Sequence, residues 1–228
     1  MQLDITIDFD GTVTLDDTTD LMLERFADPK WREIEEEWVE GRIGSRECLA
    51  RQAALLRASP EEINATLNTL ETDVSFPLFV REAHALGATT KIVSDGFDRF
   101  IEPILVRIGV KIPLLSNRLI HVGPRSWCAE FPHVSADCHS GSGVCKCACA
   151  MSGKFRLLIG DGRSDFCVAE ESDLVFAKDK LIEFCREQQI PYRPIASFRD
   201  ARVHMRELSK LLARGAPADA AIEQVQRA

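Results

Sequence analysis

The sequence has no apolar run approaching the roughly 20 residues that a helix needs to cross a bilayer, and it has no excess of positive charge. Its 28 Lys and Arg residues are outnumbered by 36 Asp and Glu residues, which gives a formal net charge of −8. We therefore expect neither a membrane partner nor a nucleic-acid partner held by bulk charge. The first four residues lack the basic and apolar segments of a secretory signal, so a cytoplasmic location is expected.

What the sequence does contain is typical of a folded globular protein. Its 228 residues are 45% hydrophobic and 28% charged, a balance that excludes an intrinsically disordered chain. Eight cysteines are present. Because nothing in the sequence indicates secretion, free thiols or a metal site are expected rather than disulfides.

Short apolar segments alternate with amphipathic segments along the chain. This alternation predicts an α/β fold with a Rossmann-like parallel sheet that is covered by helices on both faces. The segment from Gly123 to Gly143 shows no periodicity, and the tail from Gly215 could be helical or disordered. Buried strands are predicted at 3–8, 88–93, 155–159 and 173–177, with helices at 76–86, 164–171, 178–188 and 199–212.

The first two predicted strands are separated by about 80 residues, whereas an ordinary strand–helix–strand unit takes roughly 30. Several amphipathic segments fill this gap, one of them with Ser45 as its expected N-cap. They predict an all-helical insertion over 15–75 that stands over the carboxyl edge of the sheet as a lid. Residues 1–14 and 76–228 would then form the α/β core, with a Cys- and His-rich loop at 123–149.

Three of the predicted strands end in polar turns that contain glycine, at 8–12, 94–96 and 160–165. If the sheet is parallel, the three turns converge on one edge, where open α/β sheets bind ligands. Carboxylates that crowd together repel one another unless a cation compensates them. An all-oxygen ligand set suits Mg²⁺, which completes its shell with water and substrate phosphate. The crowded carboxylates are those of Asp8, Asp10, Asp161 and Asp165.

The same edge is suited to a phosphate group. Ser94 offers a hydroxyl, and Asp95 and Gly96 precede a predicted helix whose free N–H groups attract anions. A carboxylate held beside phosphate and Mg²⁺ can act as a nucleophile and form an aspartyl-phosphate. Asp10, two residues after Asp8, can donate a proton and then remove one. Each of these side chains also has a purely structural explanation. Asp8, Asp10 and Asp161 could be turn formers, Ser94 could be a helix N-cap, and Asp165 could be a charge at the start of a helix.

These motifs, Asp8-x-Asp10-Gly11-Thr12, Ser94, a downstream lysine and Gly160-Asp161-Gly162-x-x-Asp165, resemble those of the haloacid dehalogenase superfamily, in its phosphatase branch (subfamily IB). The helical insertion resembles that superfamily's C1 cap. The resemblance implies that Asp8 is the nucleophile and Asp10 the general acid/base. It implies Mg²⁺ held by Asp8, Asp161 and the Asp10 carbonyl, with Asp165 nearby, and phosphate bound by Thr12, Ser94, Asp95, Gly96 and a lysine.

Within that superfamily, the chain resembles the phosphoserine-phosphatase-like group, whose members hydrolyse phosphoserine or the methylthio enol-phosphate of methionine salvage. They share a Cys-rich stretch before the lysine and an ending similar to residues 176–179. In phosphoserine phosphatases a Glu nine residues after the nucleophile binds the substrate amine, whereas here the shorter Asp17 stands in that place. The resemblance therefore favours the enol-phosphate, with phosphoserine as the alternative. Asp17 and Arg42 are the candidate substrate contacts on the cap.

The phosphate-binding lysine has two candidates. Lys146, in Val144-Cys145-Lys146-Cys147, matches the group's cysteine-then-lysine pattern and is favoured over Lys154, which directly precedes a predicted strand. The neighbouring cysteines are either free thiols or ligands of a structural Zn²⁺ that would order this segment. The candidate zinc ligands are Cys128, Cys138, Cys145 and Cys147.

The sequence therefore predicts a Mg²⁺-dependent phosphomonoesterase that acts on a small phosphorylated metabolite. A response-regulator receiver is disfavoured because it has no helical insertion and does not need Asp10 as a proton carrier. A dehalogenase needs neither the metal nor the second aspartate. A non-catalytic metal-binding protein on a degenerate phosphatase fold is the remaining alternative, and nothing in the sequence indicates an oligomeric state.

Overall fold

The computed structural model describes residues 3–149 and 155–227, and a seven-stranded sheet forms its centre. The strand order is β4-β3-β2-β1-β5-β6-β7. All neighbouring strands run parallel except β4, which pairs antiparallel with β3. The strands are β1 (Leu3–Ile7), β2 (Thr89–Phe97), β3 (Leu114–Gly123), β4 (Ser126–Glu130), β5 (Phe155–Gly160), β6 (Leu174–Ala177) and β7 (Tyr192–Pro194).

Ten α-helices and one 3-10 turn (Arg163–Asp165) accompany the sheet in the described residues. Four of the helices, α1 (Thr18–Phe26), α2 (Trp31–Val39), α3 (Ser45–Leu55) and α4 (Pro60–Leu67), lie between β1 and β2 along the chain. The others are α5 (Phe76–Ala85), α6 (Asp98–Arg107), α7 (Phe166–Glu170), α8 (Asp179–Glu187), α9 (Phe198–Ala213) and α10 (Ala218–Arg227). The predicted α/β fold is confirmed, whereas the predicted domain boundaries stay a prediction.

β1 occupies the centre of the sheet, and all five of its residues are buried. This is expected of a strand in a parallel sheet that is covered on both faces. It pairs with β2 on one side and with β5 on the other, so that Ile5 lies beside Thr90 and Leu157. The carboxyl ends of these three parallel strands therefore meet at one edge. The predicted convergence of the polar turns follows directly from this pairing.

The second predicted strand runs further than its sequence pattern indicated. The turn residues 94–96 were expected to end it, but β2 continues to Phe97 and α6 begins only at Asp98. The pairing of β2 with β3 shifts between Val93 and Phe97, so this stretch is an irregular strand end. Asp95 and Gly96 precede this helix as predicted, but Phe97, expected to be helical, is its N-cap, so α6 begins one residue later than predicted.

Two further predictions need correction. The segment without periodicity contains β4, whose Trp127 Nε1 donates a 2.8 Å hydrogen bond to the Ala58 carbonyl. Ser45 was expected to cap α3, but the N-cap is Gly44, and Ser45 is the first helical residue, with its hydroxyl directed to Asp95. The tail from Gly215, left open by the sequence, contains helix α10.

None of the helices within residues 3–149 and 155–227 combines the length and the apolar character that crossing a membrane requires. The expected cytoplasmic location stays a prediction.

Candidate active site

A cavity of about 540 Å³ lies between the inserted helices and the carboxyl edge of the sheet. The turns after β1 and β5 and the end of β2 supply one side of its lining. Helices α1, α2 and α3 supply the opposite side, including Glu35, Trp38, Leu49 and Gln52. The inserted segment is thus in position to cover whatever binds at the edge of the sheet.

Three carboxylates that are distant in the sequence meet at the floor of this cavity. Asp8 directly follows β1, and Asp161 and Asp165 follow the neighbouring strand β5. The backbone N–H of Asp8 donates to the Ile159 carbonyl at 2.9 Å, which extends the β1–β5 pairing up to the nucleophile candidate. One carboxylate oxygen from each of the three acids lies within 4.8 Å of the other two.

A buried lysine links two of these acids. Lys146 Nζ lies 2.8 Å from Asp8 Oδ1 and 2.6 Å from Asp165 Oδ1, and it donates a 3.0 Å hydrogen bond to Ser164 Oγ. Its side chain is only 1% exposed. The structure therefore brings the favoured lysine candidate to the site, while the other candidate, Lys154, lies outside the described residues.

The charges in this cluster are not balanced. Burial opposes the charge of Lys146, but the carboxylates of Asp165 and Asp8 outweigh it and raise the pKa of the lysine. Burial, together with the charge of Asp8, raises the pKa of Asp161 to about 6 and that of Asp165 to about 8. When all three carboxylates are ionised, they and the one ammonium group carry two formal negative charges, which a divalent cation would compensate. Carboxylate oxygens are also the ligands that Mg²⁺ prefers, so the cluster could hold such an ion.

Asp10 lies beside this cluster and has the properties of a proton carrier. Its Oδ1 accepts a 2.8 Å hydrogen bond from the backbone N–H of Thr18, at the start of α1. Burial raises the pKa of Asp10 to about 7, and the charges of Asp8 and Asp161 act in the same direction. A carboxyl group with such a pKa can donate and accept protons near neutral pH.

Gly96 gives the Asp10 carboxylate its space. A Cβ atom at position 96 would lie 2.6 Å from Asp10 Oδ2 and 3.1 Å from Ser94 Oγ. We expect Gly96→Ala to lower kcat/KM by about 10–100-fold, because displacement of a catalytic group by even 1 Å has effects of that size. Phosphate release under steady-state conditions measures this loss.

Gly162→Ala is the matched control for this substitution. A Cβ atom at Gly162, which also lines the cavity, would meet no atom within 4 Å, so activity should be retained. Equal activities of the two variants would contradict the proposed role of the space at Gly96.

The residues predicted to bind phosphate differ in whether their side chains already form hydrogen bonds within the protein. Ser94 lines the cavity, and its Oγ accepts a 3.0 Å hydrogen bond from the Gly96 N–H, which leaves the hydroxyl proton free to donate. The Thr12 side chain is buried, and its hydroxyl donates to Asp161 Oδ1 at 3.2 Å. Asp95 also lines the cavity, but its carboxylate is occupied by donors from the protein. The phosphate-binding roles stay predictions.

The two substrate contacts predicted on the cap lie in different places. Asp17 lines the cavity and is the N-cap of α1, where its side chain accepts a 2.9 Å hydrogen bond from the Asp20 N–H. Arg42 is exposed, forms a 2.6 Å ion pair with Glu40 and lines a neighbouring cavity of about 570 Å³. Arg42 is thus placed beside the candidate active site and not in its lining.

The cysteines form no metal centre in the described residues. All eight thiols are free, and the only group of three or more possible metal ligands found among these residues is Asp8, Asp161 and Asp165. Cys138 Sγ lies 3.3 Å from Ser140 Oγ, Cys147 is hydrogen-bonded to Cys167, and Cys128 lies in β4. The predicted Zn²⁺ site of Cys128, Cys138, Cys145 and Cys147 is therefore not supported, because no three of these thiols come close enough together in the described residues to hold one ion.

Several site residues were missed by the sequence analysis. Ser164 contacts Lys146, and Lys178 Nζ donates to the Gly11 carbonyl at 2.7 Å. Both lie inside segments already quoted as motifs, so position alone could have indicated them. Arg163 donates to the carbonyls of Trp38 and Val39 at 3.2 and 2.8 Å. No local pattern points to this contact, which joins residues more than 120 positions apart.

Comparison with known proteins agrees with this geometry. Residues 5–170 match the haloacid dehalogenase-like hydrolases. The chain belongs to this family. The matched segment contains the acidic cluster and Lys146, so the predicted family membership is confirmed by residues that also form the site.

Relatives of this haloacid dehalogenase-like hydrolase resemble it over nearly their whole length. A 2-hydroxy-3-keto-5-methylthiopentenyl-1-phosphate phosphatase of Geobacillus thermodenitrificans is 29% identical over 220 residues, which cover 91% of this chain and 97% of that protein. The enzyme of the same name from Geobacillus kaustophilus is 30% identical over 206 residues, covering 87% and 93%. The prediction of a hydrolase of the phosphatase type is confirmed.

The fold comparison agrees. A substrate-bound phosphoserine phosphatase structure covers 80% of this chain and 90% of its own, with a TM-score of 0.61 and 20% identity. A Bordetella pertussis protein of unknown function covers 85% and 99%, with a TM-score of 0.56 and 16% identity. At these identities the likeness establishes the fold alone.

Proposed function

We propose that this haloacid dehalogenase-like hydrolase is a Mg²⁺-dependent phosphomonoesterase in which Asp8 is the nucleophile. The observation that carries the proposal is the position of the Asp8 carboxylate. It faces the cavity, 2.8 Å from Lys146 Nζ and within 4.8 Å of carboxylate oxygens of Asp161 and Asp165. A carboxylate in such a cationic and metal-binding environment suits phosphoryl transfer rather than turn formation.

Asp8, Asp161 and Asp165 would hold the Mg²⁺ ion, together with the Asp10 carbonyl that the family resemblance implies. When bound, the ion supplies positive charge that offsets the negative charges of the nucleophile and the phosphoryl oxygens. Thr12 supports this arrangement by fixing Asp161, and the N–H groups of Asp161 and Gly162 fix Asp165 Oδ2 at 3.2 and 3.4 Å.

The reaction then proceeds in two steps on this chain's own residues. A carboxylate oxygen of Asp8 attacks phosphorus, the ester P–O bond breaks, and Asp10 gives its proton to the leaving oxygen. In the second step Asp10 takes a proton from water, the water oxygen attacks phosphorus, and the bond to Asp8 breaks to release inorganic phosphate. Lys146 stabilises the transferred group, and the free proton of the Ser94 hydroxyl can donate to a phosphoryl oxygen.

We further propose that the substrate is the methylthio enol-phosphate named for the Geobacillus relatives. The cap side of the cavity offers an apolar wall of Trp38, Val39 and Leu49, which suits a methylthio tail. Phosphoserine carries a carboxylate that needs a cationic partner. Among the described lining residues the cations are Arg163, which is already bound to two backbone carbonyls, and Lys180, which is exposed and therefore a weak partner for a carboxylate.

A comparison of substrates tests this proposal. The purified enzyme would be given the methylthio enol-phosphate, phosphoserine and an aryl phosphate, each with Mg²⁺ and with EDTA, and phosphate release would be measured. We expect turnover that requires the divalent ion and a kcat/KM for the enol-phosphate at least about 100-fold above that for phosphoserine, since uncompensated polar groups discriminate strongly. No metal-dependent release from any ester would contradict the phosphatase assignment, and a preference for phosphoserine would contradict the substrate.

A further inference from the structure

One carboxylate joins three segments of the chain at the edge of the active site. Asp95 lies near the end of β2, between Ser94 and Gly96. Its Oδ2 accepts a hydrogen bond from the hydroxyl of Ser45, the first residue of α3. Its Oδ1 accepts a 2.8 Å hydrogen bond from the Val144 N–H and a 3.3 Å hydrogen bond from Asn117 Nδ2. The Asp95 carboxylate therefore accepts hydrogen bonds both from the inserted helices and from the α/β core.

The contact with Val144 bears on the reacting groups. Val144 is buried and lies two residues before Lys146, in the same short segment. That segment continues into a turn in which the Cys149 N–H donates to the carbonyls of Cys145 and Lys146, both at 3.2 Å. The position of the Val144 backbone thus helps to fix the backbone position of Lys146, from which the lysine side chain extends to Asp8 and Asp165.

The inserted helices touch this segment at a second point. The Arg46 N–H donates to the Gly141 carbonyl at 3.1 Å. A Cβ atom at Gly44 would lie 2.6 Å from the same carbonyl oxygen, so this close approach requires glycine. The start of α3 therefore contacts the segment that carries Lys146. Movement of α3 away from this position would break the hydrogen bonds donated by the Arg46 N–H and by the Ser45 hydroxyl.

We propose that Asp95 is a positioning residue that couples closure of the inserted helices to the placement of Lys146. When Ser45 is in contact, both oxygens of Asp95 are engaged and the Val144 N–H is held in one place. When α3 moves away, Oδ2 loses its partner and the Asp95 side chain is held through Oδ1 alone, which lets it shift and loosens its hold on the Val144 N–H. The inference rests on the proposed phosphatase function, because Lys146 matters only if Asp8 receives the phosphoryl group.

Ser45→Ala and Asp95→Asn test this coupling in the full-length enzyme with an aryl phosphate and Mg²⁺. Ser45→Ala removes the hydroxyl through which the inserted helices donate to Asp95. Asp95→Asn replaces one acceptor oxygen by an NH₂ group, a donor that faces Ser45 or Val144. We expect kcat to fall by about tenfold in the first variant and by about 10–100-fold in the second, with KM changed less than about threefold. The double variant should lose no more than Asp95→Asn alone, because the two residues act through one contact.

Two variants serve as controls for the Ser45 result. Ser45→Thr keeps the hydroxyl and should retain kcat, whereas a purely local packing role would make it as harmful as Ser45→Ala. Arg46→Ala changes an exposed side chain but keeps the N–H that contacts Gly141, and it should behave like the wild type.

The failure of this inference is distinguishable from failure of the proposed function. Absence of wild-type turnover would refute the phosphatase function itself. An active wild type with unchanged kcat in Ser45→Ala, or losses that add fully in the double variant, would overturn the coupling alone. Because Ser45→Ala removes a single oxygen atom, it keeps the test decisive if Asp95→Asn does not fold.

Discussion

Asp8→Asn is expected to lower kcat for any phosphate ester by on the order of 10⁴-fold or more, because an amide cannot replace a carboxylate as the attacking group. The substitution keeps the shape of the side chain. Phosphate release with an aryl phosphate measures the loss, and this leaving group makes the result independent of the natural substrate.

The fold should survive this substitution. Lys146 keeps its 2.6 Å ion pair with Asp165, and removal of one charge relieves the repulsion that raises the pKa values of Asp161 and Asp165. We therefore expect an unfolding midpoint in urea equal to or above that of the wild type. Loss of activity with loss of folding would leave the nucleophile assignment without support, and retained activity would contradict it.

Asp16→Asn is the matched control for Asp8→Asn. Asp16 is exposed, lies in the same turn region and is not part of the acidic cluster. The same chemical change at this position should leave both kcat and the urea midpoint unchanged. A large loss in this variant would show that the region is sensitive to any change of charge.

Lys146→Met should have the second largest effect, on activity and on stability together. Asp8 and Asp165, whose side chains are 7% and 0% exposed, would lose their only ion-pair partner among the described residues. Removal of one member of a buried charge pair typically destabilises a protein by about 3–5 kcal/mol. We also expect kcat to fall by about 10³-fold, because the cation that stabilises the transferred group is gone. Urea unfolding and phosphate release measure the two effects.

A second substitution separates these two effects. Asp165→Asn added to Lys146→Met removes one uncompensated charge and should recover part of the lost stability without recovering activity. Lys154→Met provides the comparison for the other lysine candidate of the sequence. If Lys154→Met abolished turnover and Lys146→Met did not, the assignment of the phosphate-binding lysine would be reversed.

Much of the site could be predicted because its residues stand at strand ends. Asp8 and Asp161 each follow a short apolar run directly, and parallel strands place their carboxyl ends at one edge. The pairing of β1 with β5 and the meeting of both acids within 4.8 Å follow from that rule. The order of the motifs along the chain then indicated the family, and the match over residues 5–170 confirms it.

Other features could not be predicted because they depend on contacts between distant segments. Trp127 and its neighbours form the edge strand β4, although the surrounding sequence shows no period of two. The clustered cysteines suggested zinc, yet the Cys147 thiol is hydrogen-bonded to the Cys167 thiol, which lies outside that cluster in the sequence. Ser45 was predicted to be the N-cap of α3, but it is the first helical residue, and its hydroxyl donates to the carboxylate of Asp95, 50 residues away.

The sequence by itself determined the parallel sheet, the long helical insertion and the acids at the strand ends, because strand burial and turn chemistry are local properties of neighbouring residues. Only the tertiary structure decided which lysine reaches Asp8, that Arg42 lies outside the lining of the catalytic cavity, and that Asp95 binds the inserted helices and the Lys146 segment at once. The contacts of Asp95 with Val144 and Ser45 join residues 49 and 50 positions apart, and Lys146 and Asp8 are further apart still. No pattern along the chain encodes the direction in which a side chain meets a distant partner.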